Sequence, residues 1–130
     1  MSREIKFAFW HKRKKEMWCV ESIDWRIKEV SNGGDVASLD DGDLLQFTGL
    51  LDKNGKKIFE NDIVVLSHPC WSVKCIVKYD EKLACYVLES FEKIDKGVKK
   101  SFLHIYQENL NYKVIGNIYQ NPELLGGKDE

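Results

Sequence analysis

Three histidines (His11, His68, His104) and four cysteines (Cys19, Cys70, Cys75, Cys85) are the residues of this chain most able to do chemistry. His68-Pro69-Cys70 followed by Cys75 is the densest group. Its Cys-x4-Cys spacing sits at the loose end of a zinc knuckle, and no second close pair follows to complete a tetrahedral site. Cys70 beside His68 lacks a third group to orient it as a nucleophile pair. Pro69-Cys70 begins like the closing half of a zinc-deaminase signature, but the second Cys comes two residues late and no His-x-Glu precedes it. Asp52-Lys53-Asn54-Gly55 looks like the start of a calcium loop, yet Lys57 and Ile63 stand where an EF-hand needs Gly and Glu. Asp40-Asp41-Gly42-Asp43 reads as a solvated acidic loop. No phosphate-binding glycine loop or Gly-x-Ser-x-Gly elbow occurs. The expectation is a protein that is not an enzyme and holds no metal or cofactor.

Charge narrows the partners. Twenty Lys and Arg against twenty-one Asp and Glu leave a net charge of −1, which argues against binding nucleic acid or a membrane by bulk electrostatics. Residues 1–34 carry eight basic and five acidic side chains, residues 35–62 three and seven. The basic excess is concentrated in Lys12, Arg13, Lys14 and Lys15, flanked by Trp10 and Trp18. These six residues form the candidate contact site: a solvated hairpin tip, or an alternative nucleic-acid surface on which the lysines engage phosphates and a Trp stacks. Only three arginines occur, and base edges are read chiefly by arginine forks, so sequence-specific DNA reading is not expected. No apolar run reaches the length of a membrane span and no signal peptide opens the chain, so a cytoplasmic protein with reduced thiols is expected.

The elements that must carry these residues read with period two. Ile5, Phe7 and Phe9 alternate with Lys6, Ala8 and Trp10. Met17, Cys19 and Ile23 oppose Trp18, Val20 and Ser22, and Trp25 and Ile27 alternate with Arg26 and Lys28. Val73, Cys75, Val77 and Tyr79 alternate with Lys74, Ile76 and Lys78; Tyr112, Val114, Gly116 and Ile118 with Lys113, Ile115, Asn117 and Tyr119. Such alternation puts one face on a core and the other toward water, and the short runs imply a mainly β, antiparallel meander or small barrel. On this parity Cys75 points inward, while Trp10 and Trp18 share a second surface opposite Phe9 and Cys19, packed on the rest of the chain or on another subunit.

Turn signals divide the runs. Asn54-Gly55 predicts a type I′ bend with both residues at positive φ. Residues 31–43, rich in Gly, Asp and Ser, read as a linker or mobile loop. Asp80-Glu81-Lys82 separates two strands, residues 93–100 form a hairpin tip around Gly97, and residues 101–110 read equally as strand or short helix. Asn121-Pro122 starts one helical turn, and residues 126–130 form a disordered tail.

Three segments resemble the YopX protein family of bacteriophages and prophages. Arg3-Glu4-Ile5-Lys6-Phe7, then Trp10, Lys15 and Met17, resembles its opening. Residues 44–64, with Gln46-Phe47-Thr48-Gly49-Leu50, Asp52-Lys53-Asn54-Gly55 and Ile58-Phe59-Glu60-Asn61-Asp62-Ile63-Val64, resemble its central signature. Residues 112–125, including Val114 to Tyr119 and Asn121 to Leu125, are similar to its closing segment. Asn61 stands where the family commonly has Gly, and His11 where it is often acidic. The resemblance implies a β-rich N-terminal subdomain over residues 1–50, followed by an SH3-like small barrel over 51–125. It implies a phage or prophage origin and no established activity, and so carries over no catalytic residue. Together with the surplus of aromatics, it predicts a structural or interaction module that self-associates inside the bacterial host cell.

Overall fold

Short amphipathic strands pair in antiparallel fashion throughout the chain, as their alternation requires. A computed structural model describes residues 4–68, 71–94, 97–104 and 111–125. The chain divides into two units, residues 1–49 and 50–130. The predicted tail, 126–130, lies outside the described residues.

The first unit holds β1 (Phe7–His11), β2 (Glu16–Cys19), β3 (Ser22–Asp24), β4 (Glu29–Ser31), β5 (Val36–Ser38), a 3-10 turn over Leu39–Asp41, and most of β6 (Gly42–Leu51). β1 lies between β2 and β6, while β3, β4 and β5 make a separate three-stranded sheet. Phe9, Trp18, Val30 and Ala37 form the core, with Val20, Ile23, Leu39 and Leu44 packed against them. Residues 31–43 are therefore no linker. They contain β5 and the 3-10 turn, whose first free N–H, from Asp40, is accepted by the Ser38 hydroxyl at 3.1 Å.

In the second unit a hairpin turns β6 into β7 (Lys57–Phe59), followed by β8 (Asp62–His68), β9 (Trp71–Asp80), β10 (Cys85–Ile94), β11 (Gly97–His104) and β12 (Asn111–Asn117). The last five form one sheet in the order β11-β10-β9-β8-β12, a curled half-barrel. Its inner side buries Ile58, Val64, Leu66, Cys75, Val77, Leu88, Tyr112 and Val114. β10 and β11 pair up to Ile94 and Gly97; the expected tip between them, residues 95–96, lies outside the described residues. Residues 101–104 are strand, and 105–110 lie outside the described residues. Pro122–Leu125 is a 3-10 turn as the Asn-Pro signal implied. Among the described residues there is no α-helix, and no helix is long and apolar enough to cross a membrane.

Parity misled in three places, each for a definable reason. The β1–β2 loop has four residues, so Phe9 pairs with Trp18 and Trp10 with Met17. Cross-strand partners share a face, which puts odd residues of β1 with even residues of β2. Trp18 is thus core and Cys19 is exposed. Residues 25–28 form a four-residue hairpin tip between β3 and β4 instead of a strand. Finally, Ile76, expected on the outward parity with Lys74 and Lys78, is also buried, as are Ile63 and Val87; a sheet that buries residues on both faces loses its apolar-polar alternation.

Candidate functional site

The basic tip is built outward from His11. Its ring is buried at 2% exposure between Trp18, at a centroid distance of 5.3 Å, and Phe9, at 6.2 Å and edge-on. The Lys14 backbone N–H donates to His11 Nδ1 at 3.2 Å, which leaves the ring proton on Nε2. The Lys15 N–H donates to the His11 carbonyl at 2.8 Å, and the Lys12 N–H to the Asp41 carbonyl at 3.0 Å. Lys15 closes the loop with φ 55°. The histidine closest to the basic run is therefore a packing residue that also anchors the turn.

Of the six expected contact residues, the structure brings together only some. Trp18 is buried, and its Nε1 donates to Glu16 Oε1 at 3.1 Å. Trp10 faces the opposite side, in register with Met17 and Asp43, so the two rings form no common stacking platform. Lys12 Nζ lies 3.7 Å from Asp43 Oδ1 and Lys14 Nζ 3.9 Å from Asp35 Oδ2. Lys14 also stands over the Trp18 ring, 5.8 Å from its centroid. These exposed pairs add little stability, but they place carboxylates beside two of the four cations. Arg13 and Lys15 are exposed and belong to none of the ion pairs found among the described residues.

The polar residues of the central signature converge on backbone, which sequence reading missed. Asp52 is buried at 7% exposure. Its Oδ1 accepts from the Asn54 and Lys56 N–H groups at 2.8 and 2.9 Å, and its Oδ2 accepts from the Val114 N–H at 2.9 Å. The Lys53 N–H donates to the Tyr112 carbonyl at 2.8 Å. One carboxylate thus shapes the β6–β7 hairpin and ties it to β12, sixty-two residues away. Burial alone would raise its pKa; the N–H groups of Val114, Lys56 and Asn54 and the charge of Lys56 outweigh that and hold it below the usual carboxylate range.

The hairpin itself is not type I′. The Gly55 N–H bonds to the Asp52 carbonyl at 3.0 Å and the Asp52 N–H to the Lys56 carbonyl at 2.8 Å. Gly55 has φ 84°, whereas Asn54 is not at positive φ. This is a three-residue loop closed by a left-handed glycine, the bulged alternative to a two-residue turn. A side chain on Asp52 that can bond the following N–H groups selects it.

Asn61, where the family commonly has Gly, is left-handed at φ 66°. Its N–H donates to the Val77 carbonyl at 2.8 Å, its carbonyl accepts from the Ile118 N–H at 3.1 Å, and its Nδ2 donates to Tyr119 Oη at 2.9 Å. Asp62 Oδ2 accepts from the Phe59 N–H at 2.9 Å. Burial pushes the Asp62 carboxyl up to about 7, against the opposing pull of the Phe59 N–H and the Lys56 charge.

Of the expected His68-Cys70-Cys75 group, only the Cys75 side chain lies among the described residues. Cys75 is buried in the apolar core at 1% exposure, as its parity predicted. Burial pushes its thiol up to about 11, the reverse of what a nucleophile needs. Cys70 and the side chains of His68 and His104 lie outside the described residues. Among the described residues no three His, Cys, Asp or Glu side chains gather as a metal site. Of the acidic run, Asp43 faces Lys12. An open cleft of about 550 Å³ lies beside the β9–β10 turn, lined by Lys78, Val87, Glu89 and residues 79–82.

Comparison with known proteins agrees with this architecture. No curated protein matches the chain. Among solved structures, protein EF1440 from Enterococcus faecalis superposes with a TM-score of 0.63 at 26% sequence identity, covering 96% of this chain and 100% of that one. The family model described as YopX protein matches residues 6–126, a stretch that contains the Asp52 hairpin, the Asn61-Asp62 turn and the Asn121-Pro122 close. The chain belongs to the YopX protein family.

Proposed function

We propose that this protein is a non-enzymatic structural or interaction module of a phage or prophage, that it self-associates inside the bacterial host cell, and that its second unit is an SH3-like barrel. The observation that carries the reading is where the signature spends its polar groups. Asp52, Asn61 and Asp62 direct carboxylates, amide and backbone at N–H groups, carbonyls and a tyrosine hydroxyl of the chain itself. Catalytic polar groups are instead aimed at where a substrate will sit. Side chains committed to holding turns suit a protein whose product is a shaped surface.

A nucleic-acid role for the Lys12–Lys15 tip is the competing reading, with Arg13 and Lys15 as the cations left for phosphates. The neighbouring Asp35 and Asp43 and the burial of Trp18 weigh against it. Two measurements decide. Sedimentation velocity is expected to give a species heavier than the 15.1 kDa chain at high concentration. Electrophoresis at low salt is expected to show no retardation of single- or double-stranded DNA or of RNA. Salt-sensitive retardation that Arg13→Glu abolishes would establish the competing role.

A further inference from the structure

Three four-residue hairpin tips in this protein share one construction: residues 12–15, 25–28 and 81–84 each end in a non-glycine residue at positive φ, Lys15 (55°), Lys28 (57°) and Ala84 (55°). They differ in what they display. The first presents cations, two of them paired with acids. The third exposes Leu83 among Glu81 and Lys82. The second exposes two large apolar side chains, Trp25 at 62% and Ile27 at 55%. A tryptophan ring mostly in water is uncommon, and tryptophan with arginine is the composition of interface hot spots.

The tip is held to shape without these side chains. The Arg26 N–H donates to Asp24 Oδ1 at 3.0 Å, the Leu39 N–H donates to the Lys28 carbonyl at 2.9 Å, and β3 and β4 pair from Asp24 and Glu29 upward. Its charges are balanced over six residues: Asp24 and Glu29 at the stem, Arg26 and Lys28 on the loop. That arrangement is complementary to itself. A two-fold axis pairs each group with its unlike counterpart, so opposite charges at loop and stem let cations of one copy be set against carboxylates of the other. The Arg26–Asp24 pair at 3.8 Å is highly exposed and easily exchanged for an intermolecular one.

We propose that a second copy of this chain docks on the Trp25–Lys28 tip, two tips meeting as an isologous contact. The proposal rests on the self-association reading above and names its surface. Burying both tips removes roughly 500 Å² of apolar area from water, well below the ~1,200 Å² of a stable interface, so the contact belongs to the weak, concentration-dependent class.

The test is sedimentation velocity of the full chain from about 10 to about 500 μM, a range that covers weak, concentration-dependent association. The wild type is compared with Trp25→Ser/Ile27→Ser, with Arg26→Glu, with Glu29→Arg, and with an equimolar mixture of the last two. Circular dichroism and the melting midpoint of each variant confirm that it is folded. The expected result is association of the wild type, a dissociation constant raised at least tenfold in the apolar double variant and in each charge variant, and recovery in the mixture. A wild type that associates while the apolar double variant associates equally well overturns the tip contact and leaves self-association standing. A wild type that stays monomeric throughout overturns both. If the monomer instead floats with phosphatidylcholine–phosphatidylglycerol vesicles, or binds an oligothymidylate, and loses this with Trp25→Ser, the tip serves another partner and the proposal fails.

Discussion

Removing the Asp52 carboxylate should damage the second unit far more than removal of a loop aspartate ordinarily does. In Asp52→Ala, the N–H groups of Asn54 and Lys56 lose their acceptor, but both residues are exposed and water replaces it, at a cost of about 0.5 kcal/mol each. The Val114 N–H is different. It belongs to a buried residue, and its bond to Asp52 Oδ2 is itself buried, so losing a charged acceptor there costs roughly 2 kcal/mol. The sum is about 3 kcal/mol, a large part of the ~5–10 kcal/mol available to a unit this size. Asp52→Asn retains one acceptor oxygen but turns an NH2 group toward the remaining donors, and should lose about half as much. Chemical denaturation followed by circular dichroism measures the loss, and hydrogen exchange at the Val114 amide localises it. The pH dependence supplies a second check. The folded-state pKa of Asp52 is depressed, so its contribution is fully present above the unfolded value near 3.8 and fades as pH falls through the folded value below it. The difference between wild type and Asp52→Asn should therefore shrink in acid. A loss below about 1 kcal/mol in Asp52→Ala, with Val114 exchange unchanged, would refute the assignment of this carboxylate as the tie between hairpin and β12.

Other substitutions test neighbouring inferences. Asp62 has the opposite sign: its carboxyl is raised to about 7, so its contribution is greatest in acid and is lost as pH rises through that value. The wild type should lose ~2–3 kcal/mol between pH 5 and 9 that Asp62→Asn does not, and parallel pH–stability curves would reject this. At Gly55 a Cβ would meet nothing within 4 Å, so Gly55→Val isolates the backbone penalty of φ 84° and should cost about 1–2 kcal/mol in thermal denaturation. Ala84 is left-handed and exposed; Ala84→Gly should raise stability by about 0.5–1 kcal/mol, and a loss would contradict the backbone assignment. Cys75→Asp should abolish the folded circular-dichroism signal of the second unit, whereas Lys74→Asp, one residue away on an exposed site, should leave it intact.

Particular residues show how far sequence reasoning reached. Val73, Cys75 and Val77 were legible as an inward row because Lys74 and Lys78 mark the opposite parity of the same strand. Ile76 was not, because it is buried as well and burial on both sides of a strand erases the period-two signal. Trp18 was assigned to the wrong surface because pairing register depends on loop length, and the four-residue loop at 12–15 has no glycine to announce it. Trp25 and Ile27 alternate as a strand would, yet stand on a tip, since alternation over four residues is too short to separate a strand from a loop.

Class, strand direction and family were determined by local chemistry: alternating side chains, turn residues at fixed offsets and a signature in order along the chain. Those are properties of near neighbours, and neighbours are what a linear string records. Which carboxylate answers which N–H was decided only by the folded chain. Asp52 meets Val114 across sixty-two positions, and Lys12 and Lys14 of the β1–β2 loop meet Asp43 and Asp35 from farther along the chain. Hydrogen bonds and ion pairs act over a few ångströms of space, and only tertiary packing brings such distant residues that close.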